Sequence, residues 1–455
     1  MKNNETSMKK ILGYINTKTW DTFSKEVQNH AVKCFLDLAG VIIAGAKNNT
    51  SKKAAAYVSD NYPLGDCTIL STGKKTNLIG AALANGMSAN ALDLDDGFSL
   101  LRGHPGAGFF GALVSAAEYS NCTYGEFLTA LIISYEVSIR QGFAIRDFYK
   151  WDHSSGCYSA FGTAAGVAKL LKLSEEETEM ALGIADFIAP LNPAKRSCYI
   201  PSMNKDGIYW GQHTGVQAVM MAKSGITGKN PVLCDDTYNY LVDSLDEKYY
   251  FFDLYIKFHS CCRWVHSPIR AIKALRNKYE FDLSDIAKID VYSFGYAGTL
   301  YKEAPKCEDE AEYNIKYPIA ATLLFGECGP IESSTDKMLD SRIPSIIEKI
   351  EFYNDPNYDK EFPAKRKSRV ELTLNNGKTI ISDTFEPEGD VNSEVTIEDL
   401  IKKVYDINKH YATKQELDRL IDKILNTSYS DSFDKIYSVI KELALNNINP
   451  KLVFI

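Results

Sequence analysis

The chain has 455 residues, 45% of them hydrophobic, and its 51 basic and 59 acidic residues give a net charge of -8. This length exceeds one ordinary core and favours two domains, while the weak negative charge without a basic block argues against a nucleic-acid partner. No apolar run approaches the roughly 20 residues that span a bilayer, and residues 1–10 lack the apolar core of a secretion signal. We therefore expect a cytoplasmic protein that contacts neither membrane nor nucleic acid.

Ten cysteines are scattered along the chain and show no metal-ligand spacing. No Cys-x-x-Cys pair occurs, and the adjacent Cys261 and Cys262 have poor geometry for a mutual disulfide. We expect reduced thiols and no zinc or iron–sulfur site.

The first 265 residues predict one helix after another. Apolar faces and small-residue patterns predict helices over residues 32–46, 80–91, 109–117, 162–171 and 215–224. Ser174 followed by three glutamates, with Glu177 at the third position, is a capping box that opens a further helix. Gly225 marks a helix end.

The period changes near residue 281. Strands are predicted over residues 289–294 and 350–353, and residues 370–374 and 379–382 flank an Asn-Asn-Gly-Lys hairpin turn. Helices return after Thr396. The predicted fold class is therefore mainly α, with a helical domain made of residues 1–266 and 395–455 and an α+β domain of residues 267–394 inserted in it.

Residues 92–106 contain a dense polar motif between two apolar segments. Asp93, Asp95 and Asp96 come first, and Arg102 and His104 follow before Pro105. Unpaired carboxylates cost several kcal/mol each when buried, so the motif either faces solvent or builds a polar site. The apolar flanks favour a site.

Further polar residues stand in apolar or small-residue surroundings. His153 precedes a small-residue helix, whose dipole is expected to lower the pKa of the imidazole. The others are Lys205, Lys257, Arg263, His266 and Tyr317. Taken singly, each is more typical of a cap, a solvated lysine, a structural ion network or a packed tyrosine. Walker, dinucleotide-binding, His-Glu-x-x-His and Gly-x-Ser-x-Gly motifs are missing from the sequence.

Taken in order, these blocks resemble the MmgE/PrpD family, which includes 2-methylcitrate dehydratase, cis-aconitate decarboxylase and iminodisuccinate epimerase. The resemblance runs from residues 36–40 to 386–390. Its most specific piece is Ala84-Asn85-Gly86, then Leu92-Asp93-Leu94-Asp95-Asp96, then His104-Pro105. The resemblance implies a helical domain with an inserted lid, an active site at their junction and a homodimer. It also implies action on small di- or tricarboxylates without metal or organic cofactor.

The resemblance also assigns the site. The expected catalytic residues are His104, His153, Lys205, Asp96 and Tyr317, with Asp96 closest to the substrate. The expected substrate-binding residues are Asp93, Arg102, Lys257, Arg263 and His266. A histidine tuned near neutrality suits removal of a proton next to a carboxylate, and the cations stabilise the resulting charge.

One carbanion-like intermediate serves several reactions. We expect first a lyase that dehydrates a hydroxylated acid of the 2-methylcitrate type. The alternatives are an epimerase of a small dicarboxylate, a decarboxylase of the cis-aconitate type and, last, a non-catalytic anion-binding dimer. Asn90 replaces a frequent family histidine, and a longer block after Lys205 weakens the decarboxylase alternative. Residues 102–105 favour the epimerase version of the motif.

Overall fold

The computed structural model describes residues 4–446, so predictions that fall on residues 1–3 and 447–455 lie outside the described chain. Helices dominate the first part. They are α1 (Asn4–Thr17), α2 (Lys25–Gly45), α3 (Asn49–Asn61), α4 (Leu78–Asn90), α5 (Ala107–Ser120), α6 (Tyr124–Tyr149), α7 (Gly156–Leu170), α8 (Glu175–Ile188), α9 (Arg196–Tyr199), α10 (Ile208–Lys223) and α11 (Asn239–Asp243).

The second part alternates short helices with strands and then returns to helices. Its helices are α12 (His266–Lys278), α13 (Glu308–Glu312), α14 (Tyr317–Phe325), α15 (Thr335–Met338), α16 (Ile343–Ile347), α17 (Pro356–Asp359), α18 (Ile397–Asn408), α19 (Lys414–Asn426) and α20 (Asp434–Leu445). The strands of the chain are β1 (Cys67–Thr68), β2 (Lys75–Thr76), β3 (Gly97–Phe98), β4 (Leu254–Tyr255), β5 (Ile286–Ser293), β6 (Ile350–Asn354), β7 (Ser368–Leu374) and β8 (Thr379–Ile381). The mainly α fold class is confirmed.

Local sequence signals explain several helix boundaries. Ser174 and Glu177 form the predicted capping box at the start of α8. Helix α2 begins seven residues before the predicted start at residue 32, because Ser24 caps it by accepting from the Val27 N–H. Gly225 follows α10 with a φ of +82°, a conformation that glycine adopts at little cost.

The predicted strands form one mixed sheet in the order β6-β5-β7-β8. Strands β5 and β6 pair in parallel, with Ile289 opposite Ile350, whereas β5 with β7 and β7 with β8 are antiparallel. The Asn-Asn-Gly-Lys turn connects β7 to β8 as predicted, and Gly377 has a φ of +84°.

Two hydrophobic cores divide the chain. The larger core takes residues up to Ile256 and resumes with Leu400, so α18, α19 and α20 pack on the N-terminal helices. The smaller core takes most of its residues from 261–380. The C-terminal helices thus pack on the first core, while the division of the chain into domains and the role of the second unit as a lid stay predictions.

Helix α2 is long and apolar enough to cross a membrane by length and composition. Within residues 4–446 it is the one helix of that kind, and 72% of its apolar window is buried inside the protein. It packs against α4 and α18, as a central core helix does.

A buried ion pair joins the two ends of the larger core. Lys403 of α18 lies 2.5 Å from the Asp37 carboxylate of α2, and both side chains are almost fully buried. The Lys403 ammonium also donates to the Leu94 carbonyl at 2.9 Å, inside the acidic motif. Burial raises the pKa of Asp37, although Lys403 opposes that rise.

Replacing Lys403 is expected to destabilise the fold strongly. Lys403→Met leaves the Asp37 carboxylate buried without its cation, which costs about 3–5 kcal/mol of unfolding free energy. Urea unfolding followed by circular dichroism measures the loss. The neighbouring Lys402→Met is the control, because Lys402 is exposed and pairs with the exposed Asp406. Equal stability of the two variants would contradict a structural role for the Asp37–Lys403 pair.

Candidate active site

Strand pairing brings the acidic motif to the Lys257 segment. Strand β3 lies within the motif and pairs antiparallel with β4, placing Gly97 opposite Tyr255. Lys257 follows β4 by two residues, and its ammonium lies 3.1 Å from the Asp93 Oδ1. Both side chains are almost completely buried, so each charge is compensated by the other.

Two glycines allow the motif to approach its neighbours closely. A Cβ at Gly97 would lie 2.3 Å from the Tyr255 ring, and a Cβ at Gly106 would lie 2.2 Å from the Asp96 Oδ2. Any larger side chain would therefore displace the motif from its partners.

His104 is held by a carboxylate on one side and faces another. Its Nδ1–H donates to the Asp95 Oδ2 at 2.9 Å, and its Nε2 lies 3.6 Å from the Asp93 Oδ1. The Asn90 amide donates to the second Asp95 oxygen at 2.8 Å. The Asn90 side chain thus orients the carboxylate that orients His104.

The charges around His104 favour its protonated form. Burial and the Lys257 ammonium lower the pKa of His104, but Asp95 and Asp93 outweigh them, so the pKa of His104 is raised above its ordinary value. The same contact with His104, together with Lys257, holds the pKa of Asp95 far below its usual range despite burial. These contacts therefore favour the protonated form of His104, which is a proton donor.

Asp96 turns away from the cavity. Its carboxylate accepts from the Gly106 N–H at 2.9 Å and from the Tyr135 hydroxyl. Burial raises the pKa of Asp96 to about 7. The expectation that Asp96 approaches the substrate most closely finds no support in this geometry, because Asp93 is the acid of the motif that lines the cavity.

A cavity with an open mouth lies over His104. Four predicted site residues line it, namely Asp93, Arg102, His104 and Arg263. Further polar or aromatic lining residues were not predicted, namely Asp152, Lys195, Asp206, Tyr255, Trp264, Tyr296, Tyr313 and Arg366. The cavity therefore joins residues of both cores.

Asp206 connects the cavity to the start of α7. Its Oδ2 accepts from the Ser155 N–H at 3.0 Å, and the Ser155 Oγ accepts from the His104 N–H at 3.0 Å. Burial raises the pKa of Asp206, although His104 opposes the rise. Ser155 therefore fixes the His104 backbone against the α7 terminus.

Lys205 is tied into the protein rather than pointed at the cavity. Its ammonium donates to the Asn90 and Ala91 carbonyls at 2.9 and 2.6 Å and to the Glu312 carboxylate. Burial lowers the pKa of Lys205, but Glu312 and nearby acids raise it overall. These contacts use all three ammonium protons, so Lys205 fixes the end of α4 just before the acidic motif.

His153 lies under aromatic rings and does not line the cavity with His104. Its ring centroid is 3.5 Å from that of Trp151 and 5.1 Å from that of Tyr149. Both ring nitrogens are buried without a hydrogen-bond partner among residues 4–446. The pKa of His153 is lowered to about 4, as predicted in direction, but the cause is burial rather than the α7 dipole.

His266 and Tyr317 also lie off the cavity lining. The His266 Nε2 lies 3.2 Å from the Cys261 carbonyl, and the Tyr317 hydroxyl donates to the Glu332 carbonyl. Both side chains are buried. The structure therefore does not bring these two residues to His104, and the roles expected for them stay predictions.

Backbone conformation marks three of the predicted site residues. Asp93, Arg102 and Lys205 have φ values of +49°, +54° and +40°, in the left-handed region that non-glycine residues seldom adopt. Such conformations cost on the order of 1–3 kcal/mol each and are concentrated at functional sites. The strain therefore supports a functional role for this region.

Asp93, Asp95 and His104 each place one potential metal-ligand atom within 4.8 Å of the others. Lys257 already lies against Asp93, and the Asn90 amide already donates to Asp95. A divalent cation would have to displace the ammonium and deprotonate His104. The donor set thus fits proton transfer better than metal binding.

The chain matches two adjacent domains of one family. Residues 9–248 match the MmgE/PrpD N-terminal domain, and residues 259–427 match the MmgE/PrpD C-terminal domain. A cis-aconitate decarboxylase-like protein, oryM, of Aspergillus oryzae is 23% identical over 456 residues, which cover 91% of this chain and 93% of that protein. Two cis-aconitate decarboxylases of Aspergillus terreus, one from strain NIH 2624, are each 23% identical over 412 residues, covering 81% of this chain and 82% of theirs.

The raised pKa of Asp96 predicts a pH-dependent stability. The folded protein keeps Asp96 protonated up to about pH 7, whereas the unfolded chain ionises it near its ordinary pKa. Stability from this group is therefore fully present below that ordinary pKa and is lost as pH rises through 7, by about 1.4 kcal/mol per pH unit in between.

Asp96→Asn removes this titration, so the variant is expected to gain stability relative to wild type as pH rises from 5 to 7. Urea unfolding at pH 5, 6, 7 and 8 measures the difference. Asp60→Asn, at an exposed position of α3, is the matched control and should follow wild type. Parallel pH profiles of wild type and Asp96→Asn would contradict a protonated, buried Asp96.

Proposed function

The chain belongs to the MmgE/PrpD family, and on that premise we propose that it is a lyase acting on a small hydroxylated di- or tricarboxylate. It removes a proton next to a carboxylate and eliminates water, as a 2-methylcitrate dehydratase does, and needs no organic cofactor or metal. The relatives named cis-aconitate decarboxylase support lyase chemistry at the level of the family.

The observation that carries the proposal is a proton donor beside a proton acceptor in one buried cavity. Asp95 orients His104 and favours its protonated form, and the His104 Nε2 lies 3.6 Å from the Asp93 Oδ1. The other Asp93 oxygen, Oδ2, is buried without a hydrogen-bond partner among residues 4–446. A buried acceptor without a partner is costly unless a ligand supplies the donor.

These groups divide the elimination between them. The Asp93 carboxylate takes the proton from the carbon next to a substrate carboxylate, and the electron pair forms the new double bond as the hydroxyl leaves. His104 gives its Nε2 proton to that hydroxyl, so water departs. Lys257 balances the negative charge of Asp93 and of the developing carbanion.

The cavity also supplies cations for the substrate carboxylates. Arg102, Lys195, Arg263 and Arg366 all line it. Preorganised cations in a site with little water stabilise charge that develops in the transition state far more than they would in solution. Arg102 already pairs with Asp152, whereas Lys195 and Arg366 have no carboxylate partner among residues 4–446 and are open to a substrate carboxylate.

Decarboxylation is the second candidate, because the relatives carry that name and because it needs only the acid. Loss of carbon dioxide leaves a carbanion that the His104 imidazolium protonates. The site geometry favours epimerisation less, since that reaction removes a proton from one face of a carbon and returns a proton to the opposite face. His104 and Asp93 are neighbours, which favours chemistry on one face.

The remaining expectations from the resemblance belong to the same proposal. We propose that the unit around β5–β8 acts as a lid, because it contributes Trp264, Tyr296 and Arg366 to a cavity that also contains His104 of the helical part. We also propose a cytoplasmic homodimer. The ten free cysteines suit that compartment, and Phe187 and Ile200, 89% and 80% exposed, offer apolar surface to a second copy.

Reaction in deuterated water separates the candidate activities. The purified protein is incubated with citrate, 2-methylcitrate, malate, cis-aconitate and iminodisuccinate. We expect a hydroxylated acid to yield an unsaturated product, seen by ultraviolet absorbance. Carbon dioxide release would show decarboxylation instead, and deuterium uptake without an alkene would show epimerisation. If none of the acids changes, the enzymatic proposal is wrong.

His104 is expected to be the proton donor of that reaction. His104→Ala should lower kcat by about 10²–10⁴-fold, the usual contribution of general acid–base catalysis. His213→Ala is the control, because His213 bonds to Tyr62 outside the cavity. Asp95→Asn should lower the pKa of His104 and so move the high-pH limb of the kcat profile to lower pH. An unchanged limb in an active Asp95→Asn variant would remove His104 from the acid role.

A further inference from the structure

Arg366 reaches from the second core into the cavity. It precedes β7 by two residues and is only 1% exposed. One terminal nitrogen donates to the Ser99 Oγ at 3.0 Å, and the other donates to the Ser99 carbonyl at 3.4 Å. Ser99 lies in the acidic-motif loop, so Arg366 connects the two cores across the cavity.

The charge of Arg366 has no counter-ion in the part of the chain that the structure describes. Among residues 4–446, no carboxylate lies within 4 Å of its guanidinium, and its Nε is buried without a hydrogen-bond partner. Arg102 differs, because its guanidinium pairs with Asp152. An isolated buried cation is costly, and the cavity that it lines is open to an anion.

A second arginine, Arg263, lies near the same aromatic ring as Arg366, that of Tyr255. The Arg263 guanidinium carbon lies 4.6 Å from the Tyr255 ring centroid, and that of Arg366 lies 5.6 Å from it. The nearest carboxylate to Arg263 is Asp390 at 3.7 Å, and the Arg263 Nε is also buried without a partner in the described chain. Two like charges therefore lie near one ring, and each guanidinium has an Nε–H without a hydrogen-bond partner in the described chain.

A further cation lines the cavity apart from this pair. The Lys195 ammonium lies 4.5 Å from the Tyr296 ring centroid, and no carboxylate of residues 4–446 pairs with it. Lys257, beside the reacting groups, is already balanced by Asp93, so the cavity offers two positions for carboxylates remote from the reacting carbon. A tricarboxylate, which also has a carboxylate next to that carbon, matches this arrangement better than a dicarboxylate.

We propose that Arg366, together with Arg263, binds a substrate carboxylate remote from the reacting carbon and thereby selects tricarboxylates over dicarboxylates. This inference rests on the proposed lyase function and names its substrate class. Guanidinium groups bind carboxylates through two parallel hydrogen bonds, which give geometric selectivity that a lysine lacks. Arg366 is thus a specificity-determining residue and takes no part in proton transfer.

Unreactive acids test the inference independently of turnover. Calorimetry compares tricarballylate, which has three carboxylates, with glutarate, which has two. Wild type should bind tricarballylate at least about tenfold more tightly, since a charge-assisted pair contributes a factor of roughly 10–100. Arg366→Met should weaken tricarballylate by that factor and leave glutarate within about twofold. The ratio of the two affinities is insensitive to a general loss of folded protein.

Arg366→Lys keeps the charge and loses the paired hydrogen bonds, so its affinity ratio should fall between those of wild type and Arg366→Met. If Arg366→Met does not fold, the affinity ratio of Arg366→Lys is compared with that of wild type instead. Lys367→Gln is the matched control, because Lys367 pairs with Glu361 next to Arg366 and does not line the cavity. With a reacting tricarboxylate, Arg366→Met should raise KM more than it lowers kcat.

Equal affinities of wild type for the two acids would overturn the inference, as would an affinity ratio that Arg366→Met leaves unchanged. Either result leaves the lyase proposal standing if hydroxylated acids are still converted. Selective binding of tricarballylate without conversion of any acid would instead sustain the role of Arg366 and reject the lyase proposal.

Discussion

The structure depends on one constraint: each carboxylate buried in this interior, which contains little water, must either pair with a cation or keep its proton. Asp93 is balanced by Lys257, Asp95 by His104, and Asp37 by Lys403. Asp96 has no such cation and keeps its proton instead, since burial raises its pKa to about 7. Removing any of these compensations exposes a neighbouring charge to the full cost of desolvation. The proton chemistry proposed for the cavity uses the same balance, because it is the paired carboxylates that make His104 an acid.

The two cores contribute different residues to the cavity. Asp93, Asp95 and His104 come from the loop between α4 and α5, which is anchored in the helical core. Trp264, Tyr296 and Arg366 come from the second core. The groups proposed for proton transfer and those proposed for recognition of remote carboxylates therefore lie mainly in different units.

Sequence patterns predicted the elements with local signals and the site only where polar residues cluster. The capping box of α8, the hairpin between β7 and β8, and the importance of residues 92–106 were all predictable, because short spacings encode them. Arg366 and Tyr296 carry no such signal, since only tertiary packing brings them to the cavity. Asp206 does have a sequence signal, because it is adjacent to Lys205. Lys205 and Tyr317 are residue types that suit catalysis, but their hydrogen bonds are satisfied by carbonyl and carboxylate groups of the fold, so a catalytic role for either stays a prediction.

The Leu94 carbonyl lies between Asp93 and Asp95 in the chain and accepts from Lys403 of the C-terminal helix α18. The distance between the two carboxylates that flank His104 is therefore held by a residue about 300 positions away in sequence. The sequence of α18 therefore influences the geometry of the site, although none of its residues lines the cavity. Helix α18 thus helps to fix the loop that carries Asp93, Asp95 and His104.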